Sequence, residues 1–407
     1  MICRTETQMS GICILVSNPL GPNLTRGKFL PLLEPTEVRE IVSVQESAGP
    51  RLSKVGYVTL GSPPLAGTLP RIGRMLHVAR RVVAMGIAVV RRRPSVVMGV
   101  YMMPHGLIAY LVGRMTGAQV CIHVIGGPCE VIDGGYWLDQ WQVRRPNKRL
   151  EGLYLHVLRR TDIVIVVGTE TKRYLASRGV PADRIHVISS KIDSDRFRPL
   201  PADRDYDLIL TAQLIKRKRV DVFLRIVADL LPHVPRIRAA ILGDGPLRSD
   251  LMRLAADLGI GDRVDFLGFH EDTERYYNRA KVFVLTSSAE GLSLAMLEAM
   301  ACGLPAVVPA VGDLADVVCD GETGYLVDGD NQAAFVTILQ HLLGNDALRQ
   351  VLGARARASI LHGYTVKDGA RAWRTVLQPA MRACQPAAHV DPARRFHRRD
   401  VPGADNR

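Results

Sequence analysis

Val282-Phe283-Val284-Leu285-Thr286-Ser287-Ser288-Ala289-Glu290-Gly291-Leu292-Ser293-Leu294-Ala295-Met296-Leu297-Glu298-Ala299-Met300-Ala301-Cys302-Gly303-Leu304-Pro305 is the most informative run of the chain. Val282 to Leu285 are a short unbroken apolar segment that reads as a buried strand. Ser293 can open a helix over 293–301, Gly303 ends it and Pro305 follows. Glu290 then stands just ahead of a helix N-terminus. The free N–H groups of Gly291, Leu292 and Ser293, aided by the helix dipole, make a place for a phosphate, and Gly291 lets a ligand come close. Glu298 lies two turns on, about 12 Å along a helix. Carboxylates so spaced can hold different parts of one extended ligand but can hardly share a proton. As a plainer alternative, Glu290 caps the dipole and Glu298 is solvated. For Glu298 this fits poorly, because Leu294, Met296, Leu297, Ala299 and Met300 surround it and an unpaired acid there is costly. It needs a partner.

The alternation of short apolar runs with helical patterns extends in both directions, which predicts an α/β class with mostly parallel sheets. Strands are expected over 11–16, 95–100, 120–125, 163–167 and 185–188 in the first half, with helices over 71–93, 107–115 and 170–178. In the second half the strands fall over 207–211, 238–242, 264–267, 282–285 and 306–308, and the helices over 220–231, 247–258, 271–279, 293–301 and 332–343. Residues 196–205, with two prolines and no apolar periodicity, read as a linker. The expected organisation is a Rossmann-like domain over 1–195, the linker, and a second Rossmann-like domain over 206–362. A helix over 363–384 packs back on the first domain, and a disordered tail covers 385–407. A ligand is expected in the cleft between the two domains.

At 407 residues, 47% hydrophobic and 23% charged, the composition excludes a disulfide-stapled module and wholesale disorder. No run reaches the length of a membrane-spanning helix. The seven cysteines are scattered with no Cys-x-x-Cys pair, which predicts free thiols and no zinc site. With no secretory pattern at the N-terminus, the expected address is the cytoplasm, the inner face of the membrane being open as a peripheral site. The net charge of +13 favours acidic partners. Residues 71–93 hold seven arginines and no acid, interspersed with Ile72, Met75, Leu76, Val83, Ile87 and Val90. Such a helix can lie on an anionic membrane surface; the plainer and preferred reading turns its apolar face to the core and its arginines to water. Nucleic acid is not expected, for no recognition motif accompanies the charge.

The run from Ala239 to Val327, with Ile241-Leu242-Gly243-Asp244-Gly245-Pro246, Val264 to Gly268, the Glu290/Glu298 block and Gly321 to Val327, resembles the donor-binding half of family 4 retaining glycosyltransferases of GT-B fold. Ile185 to Asp193, followed by Arg196-Phe197-Arg198-Pro199, is similar to the family's exit from its first domain. The resemblance covers most of residues 95–375. It implies that Glu290 contacts the donor sugar and that Glu298 holds the nucleotide ribose. It further implies that Lys218 belongs to a basic pair clamping the diphosphate. Gln213 departs from the pattern, standing where the family usually has arginine. Lys216, Arg217 and Arg219 are candidates to compensate, although each reads more simply as part of a solvated basic loop. Gly243 and Gly245 resemble the loop under the nucleotide, and Phe269 and His270 the stretch near the base. His123, at a strand end, matches a histidine near the transferred sugar, against the plain reading of a hydrogen-bonded core residue. His105 reads as structural. The family's glycine pair after the first strand has no clear counterpart.

The resemblance implies a GT-B enzyme that moves a sugar from a nucleoside diphosphate donor to an acceptor sugar, lipid-linked sugar or small molecule, with retention and with no cofactor or metal. The Asp-x-Asp strings at 193–195, 203–207 and 328–330 are misplaced for a metal site. A nucleotide-sugar epimerase of the same fold and a degenerate, non-catalytic nucleotide-sugar-binding module remain as alternatives.

Overall fold

The computed structural model describes residues 11–18, 22–35, 37–47, 49–61, 70–135, 146–329 and 331–384. The tail over 385–407 lies outside them. The first half runs β1 (Ile12–Ser17), α1 (Pro22–Leu33), β2 (Val38–Gln45), β3 (Val55–Thr59), α2 (Pro70–Arg92), β4 (Val96–Val100), α3 (Leu107–Thr116), β5 (Gln119–Val124), α4 (Lys148–Arg160), β6 (Ile163–Val166), α5 (Thr169–Ser177) and β7 (Ile185–Val187). The second runs β8 (Tyr206–Thr211), α6 (Val220–Leu230), β9 (Ala239–Leu242), α7 (Arg248–Asp257), β10 (Val264–Gly268), α8 (Thr273–Asn278), β11 (Ala280–Val284), α9 (Leu294–Ala301), β12 (Ala306–Pro309) and β13 (Gly324–Val327). The helices α10 (Gln332–Leu343), α11 (Asp346–Gly363) and α12 (Val366–Cys384) follow.

Two parallel sheets result, in the orders β3-β2-β1-β4-β5-β6-β7 and β10-β9-β8-β11-β12-β13. Helices cover both faces of such sheets, so their central strands must be apolar throughout. Every residue of β1, β4 and β6 is buried. The strands expected from sequence occur within two residues of their predicted bounds.

One apolar core joins the two halves. It contains Ile14 of β1, Ile209 of β8, Phe283 of β11, and Trp373 and Leu377 of α12. α12 lies against α1, and the segment entering it is pinned to the first half by the Ile192 N–H, which donates to the Tyr364 carbonyl at 2.7 Å. Residues 196–205 form no helix or strand but are stapled down: Phe197 is in the core, and Arg196 pairs with Glu274 at 2.7 Å.

Helix α2 corrects the reading of residues 71–93. Met75, Leu76, Val83, Ile87 and Val90, expected against the core, face outward, with Met75 at 74% and Val90 at 78% exposure. Arg81, expected in water, is 1% exposed. Its guanidinium donates to the Val44 carbonyl at 2.7 Å and pairs with Glu46. Acceptors at the end of β2 thus satisfy a buried charge, while Met85, Ala88 and Val89 supply the packing face. Leu111 and Met115 of the neighbouring α3 are exposed as well.

Candidate functional site

In doubly wound sheets, ligands bind beyond the carboxyl ends of the strands, where the strand order reverses. In the second sheet the reversal lies between β8 and β11. The loop leaving β8 carries Gln213 to Arg219, and the loop leaving β11 carries Thr286 to Ser293. The two loops are tied together: the Ser288 N–H donates to the Arg217 carbonyl at 2.9 Å, and the Thr286 hydroxyl to that of Arg219 at 2.8 Å.

Across this junction Lys218 Nζ donates to Glu290 Oε1 at 2.5 Å. Arg217 lies 3.7 Å from the other carboxylate oxygen and donates to the Ala289 carbonyl at 2.9 Å, so it is not a solvated loop residue. Lys216 is exposed, and Arg219 pairs with Asp221. Burial would raise the Glu290 carboxyl, but Lys218 and Arg217 outweigh it and hold it below the usual range. Burial likewise lowers the Lys218 ammonium, against the opposing pull of Glu290. Ser293 caps α9, its hydroxyl accepting from the Met296 N–H at 3.3 Å.

A cavity of 530 Å³ opens between the halves. From the second half it takes Gln213, Gly243, Phe269, Glu298 and the first helical residues of α9, Leu294 and Ala295; from the first it takes Gly27 and Lys191. Leu294 and Ala295, whose N–H groups belong to the first turn of α9 and have no intrahelical acceptor, thus line the cavity. Gly291 and Leu292, expected as the open end of the cradle, are buried instead: a β-carbon on Gly291 would stand 2.0 Å from the Ile125 carbonyl oxygen. The end of the β11 loop is thus closed against the first domain, and the helix start at Leu294 and Ala295 lines the cavity.

Gly243, with φ +127, passes so close beneath Ala212 that a β-carbon would meet its carbonyl oxygen at 1.9 Å. Gly245 packs against Leu214, whose carbonyl oxygen would stand 2.6 Å from a β-carbon there, but does not line the cavity. Phe269 presents a ring that is 71% exposed at the rim. Glu298 accepts from the Tyr277 hydroxyl at 3.2 Å and from Thr273 at 3.4 Å; these are the partners that the sequence demanded without naming. Burial pushes its carboxyl up to about 7.

His123 is in β5 and 2% exposed, edge-on to Trp373 at 6.4 Å between ring centroids. Its Nε2 is enclosed without a partner among the described residues. Burial, then the charge of Lys28, keeps its imidazole neutral, well below its ordinary value. His105 is structural, its Nδ1 lying 2.8 Å from the Ser17 hydroxyl. The sequence reading gave no site role to Tyr277, Thr273, Arg196 or Lys28. Only the buried position of Glu298 in its helix signalled the first two. Among the described residues no cluster of three His, Cys, Asp or Glu side chains is arranged to hold a metal ion. Cys13, Cys121, Cys129, Cys302 and Cys319 are free thiols.

Two switch-point sheets facing one cleft, with Glu298 in the cavity lining and the Lys218–Glu290 pair at the switch point of the second sheet, define a GT-B glycosyltransferase architecture. Family models agree, "Glycosyl transferase 4-like domain" over residues 36–190 and "Glycosyl transferases group 1" over residues 191–359. The chain belongs to the group 1 glycosyltransferases of family 4 type. It is 31% identical to a GDP-mannose-dependent alpha-(1-6)-phosphatidylinositol monomannoside mannosyltransferase of Mycolicibacterium smegmatis, over 53% of this chain and 59% of that protein. It is 33% identical to a D-inositol 3-phosphate glycosyltransferase of Frankia alni, over 58% of this chain and 64% of that protein. The matches thus cover less than two thirds of either relative. In fold the chain is similar to the sucrose-phosphate synthase of Thermosynechococcus elongatus, with a TM-score of 0.78 at 20% identity over 91% of this chain and 100% of that one. It is also similar to the Anabaena protein HepE solved with UDP and glucose, with a TM-score of 0.72 at 15% identity over 90% and 99%.

Proposed function

We propose that this protein transfers a sugar from a nucleoside diphosphate sugar to an acceptor hydroxyl with retention of configuration. The observation that carries the reading is the alignment along one cavity of an exposed ring at Phe269, a carboxyl at Glu298 and the N-terminus of α9, with the Lys218–Glu290 pair beyond. These suit, in order, a base, a ribose, a diphosphate and a sugar. The bond from the sugar C1 to the phosphate oxygen breaks, and the departing diphosphate gains negative charge. The start of α9 and Lys218 are placed to stabilise that charge. The acceptor oxygen bonds C1 on the face the nucleotide leaves, and its proton passes to the leaving phosphate. Glu290, kept ionised by Lys218 and Arg217, orients the sugar hydroxyls. Cationic groups and helix N–H groups meet the diphosphate charge, so no metal enters this scheme.

Names among the relatives include a GDP-mannose donor, and a structural neighbour holds UDP. The test is therefore a screen of nucleotide sugars by thermal shift, followed by product analysis with lipid-linked and soluble acceptors. Stabilisation by one donor, unaffected by EDTA, and transfer of its sugar are expected. Conversion of the donor without acceptor would identify an epimerase, and binding without turnover a degenerate module.

The outward face of α2 supports a second element of the proposal, attachment to an anionic membrane surface. Exposed Met75, Val83, Ile87 and Val90 stand beside exposed Arg80, Arg91, Arg92 and Arg93, a composition suited to the interface of a charged bilayer. No helix among the described residues is long and apolar enough to cross a membrane.

A further inference from the structure

Helix α1 carries a lysine that the proposed reaction has not yet used. Lys28 is 7% exposed, and its Nζ is enclosed without a hydrogen-bond partner among the described residues. Its neighbours Gly27 and Leu30 line the cavity, as does Lys191, whose carbonyl oxygen would lie 3.5 Å from a β-carbon on Gly27. The carboxyl in electrostatic reach, Glu130, is engaged elsewhere: it accepts backbone N–H bonds from Met102, from Gly126 at 2.7 Å and from Ile125. Burial, and then the charge of Lys191, lowers the Lys28 ammonium to about 7, with Glu130 only partly opposing them. Lys191, which lines the cavity, and Lys28, enclosed beside the lining residues Gly27 and Leu30, thus lie within electrostatic reach of one another. Lys191 is held by neutral oxygens, the Ser189 hydroxyl and the Gly363 carbonyl, at 3.0 and 2.8 Å. A buried cation in this setting is costly until an anion joins it.

The opposite wall offers an incoming diphosphate only part of the charge it needs, because its cations are shared with acids of the protein. Lys218 and Arg217 are turned to Glu290, Arg196 to Glu274, and residue 213 is a neutral glutamine. The strongest anion that the proposed reaction brings to this cleft is the diphosphate of its donor. We propose that Lys28 is the first-domain cation of the diphosphate site and supplies the charge that Gln213 does not. The inference rests on the proposed donor class and adds the residue that receives it from the facing domain. Lys28 joins the diphosphate when the cleft fills and holds it across the gap from α9.

Calorimetric titration with UDP, GDP, ADP and the matching nucleosides tests this on the full chain. Lys28→Met should weaken the diphosphate that binds the wild type by about tenfold or more, as expected for a lost charge-assisted contact, and leave the nucleoside unchanged. It should also raise the melting temperature of the free protein, because an uncompensated charge is gone. Adding Gln213→Arg should restore the preference for diphosphate over nucleoside. An unchanged preference in Lys28→Met overturns the inference. So does Lys28-dependent binding of inorganic phosphate that the nucleoside diphosphate does not displace, which would assign the lysine to a phosphate on the acceptor. Should Lys28→Met fail to fold, Lys28→Gln, with a polar tip, is read in the same way. If no nucleoside diphosphate binds the wild type, the donor assignment itself falls, an outcome seen before any variant is made.

Discussion

Thr171 gives both its N–H and its hydroxyl to the Asp313 carboxylate, at 3.0 and 2.5 Å, and thereby joins the two domains. Thr169 does the same to Asp316, at 2.6 and 2.5 Å. Two acids from the connection between β12 and β13 therefore grip the first turn of α5, where the helix dipole favours negative charge. Gly168 makes the approach possible, since a β-carbon there would stand 2.3 Å from that of Asp313. Because the site is built from both sides of a cleft, this grip bears on catalysis through closure. Replacement Asp313→Ala leaves Thr171 without its acceptor, at about 1.5 to 3 kcal/mol for each lost bond to a charged group, while Thr169 keeps Asp316. The expected outcome is a larger radius of gyration in solution scattering and a lower kcat/KM, with nucleotide affinity reduced less. An unchanged radius would show that closure does not depend on this grip.

The Lys218–Glu290 pair predicts coupled losses of activity and stability. Glu290→Ala leaves Lys218 enclosed beside Arg217 without its counter-charge, and removing one member of a buried pair typically costs about 3 kcal/mol or more. Glu290→Gln should keep the fold better and still reduce turnover by about 100-fold, while binding of the nucleoside diphosphate persists. The pH dependence has a definite sign. The folded Glu290 carboxyl lies below its ordinary value, so its contribution is present above the unfolded pKa and is lost as pH falls through the folded one. Acid unfolding followed by circular dichroism should therefore be shallower in Glu290→Gln.

Glu298 predicts the opposite slope. Burial raises its carboxyl to about 7 from the usual 4.5. Between those two values the folded chain holds a proton that the unfolded chain has released, so stability from this group falls as pH rises. Glu298→Gln should flatten that slope and raise the melting temperature above pH 7. It should also weaken the nucleoside, whose ribose hydroxyls need an ionised acceptor. In the wild type, nucleoside affinity should rise as pH passes through 7. A parallel rise in the variant would remove Glu298 from the ribose site.

The second domain was legible because its signals are local. The apolar strand before Glu290, the capping Ser293 and the terminating Gly303 all lie within one short run, and the structure places α9 between them. Elements of the first domain were harder to read. Helix α1 contains Gly27 and Pro31, and β2 opens on Val38-Arg39-Glu40, so neither shows a clean period. The orientation of α2 was misread for a different reason. Periodicity identifies an apolar face but not what covers it, and Arg81 was drawn inward by Val44 and Glu46, partners far off in sequence. Lys28 escaped notice likewise, because burial without a partner is a property of the folded cleft.

The outward face of α2 supplies the last prediction. Val83 is 61% exposed and Val90 78%, so glutamate at either position meets water and should leave the fold intact. At a bilayer interface the same change removes an apolar anchor and adds repulsion from anionic headgroups. Wild-type protein should sediment with vesicles containing anionic lipid and much less with neutral ones, and binding should weaken as salt rises. The Val83→Glu/Val90→Glu double variant should lose about tenfold in vesicle affinity or more. Replacing Arg91 and Arg93 by alanine should reduce the salt dependence while retaining part of the binding, since the apolar face remains. Turnover with a soluble acceptor should be the same in all of these proteins, because no described residue of α2 lines the cavity. Equal sedimentation with neutral and anionic vesicles, or retention of binding in the double variant, would show that this face meets a partner other than lipid.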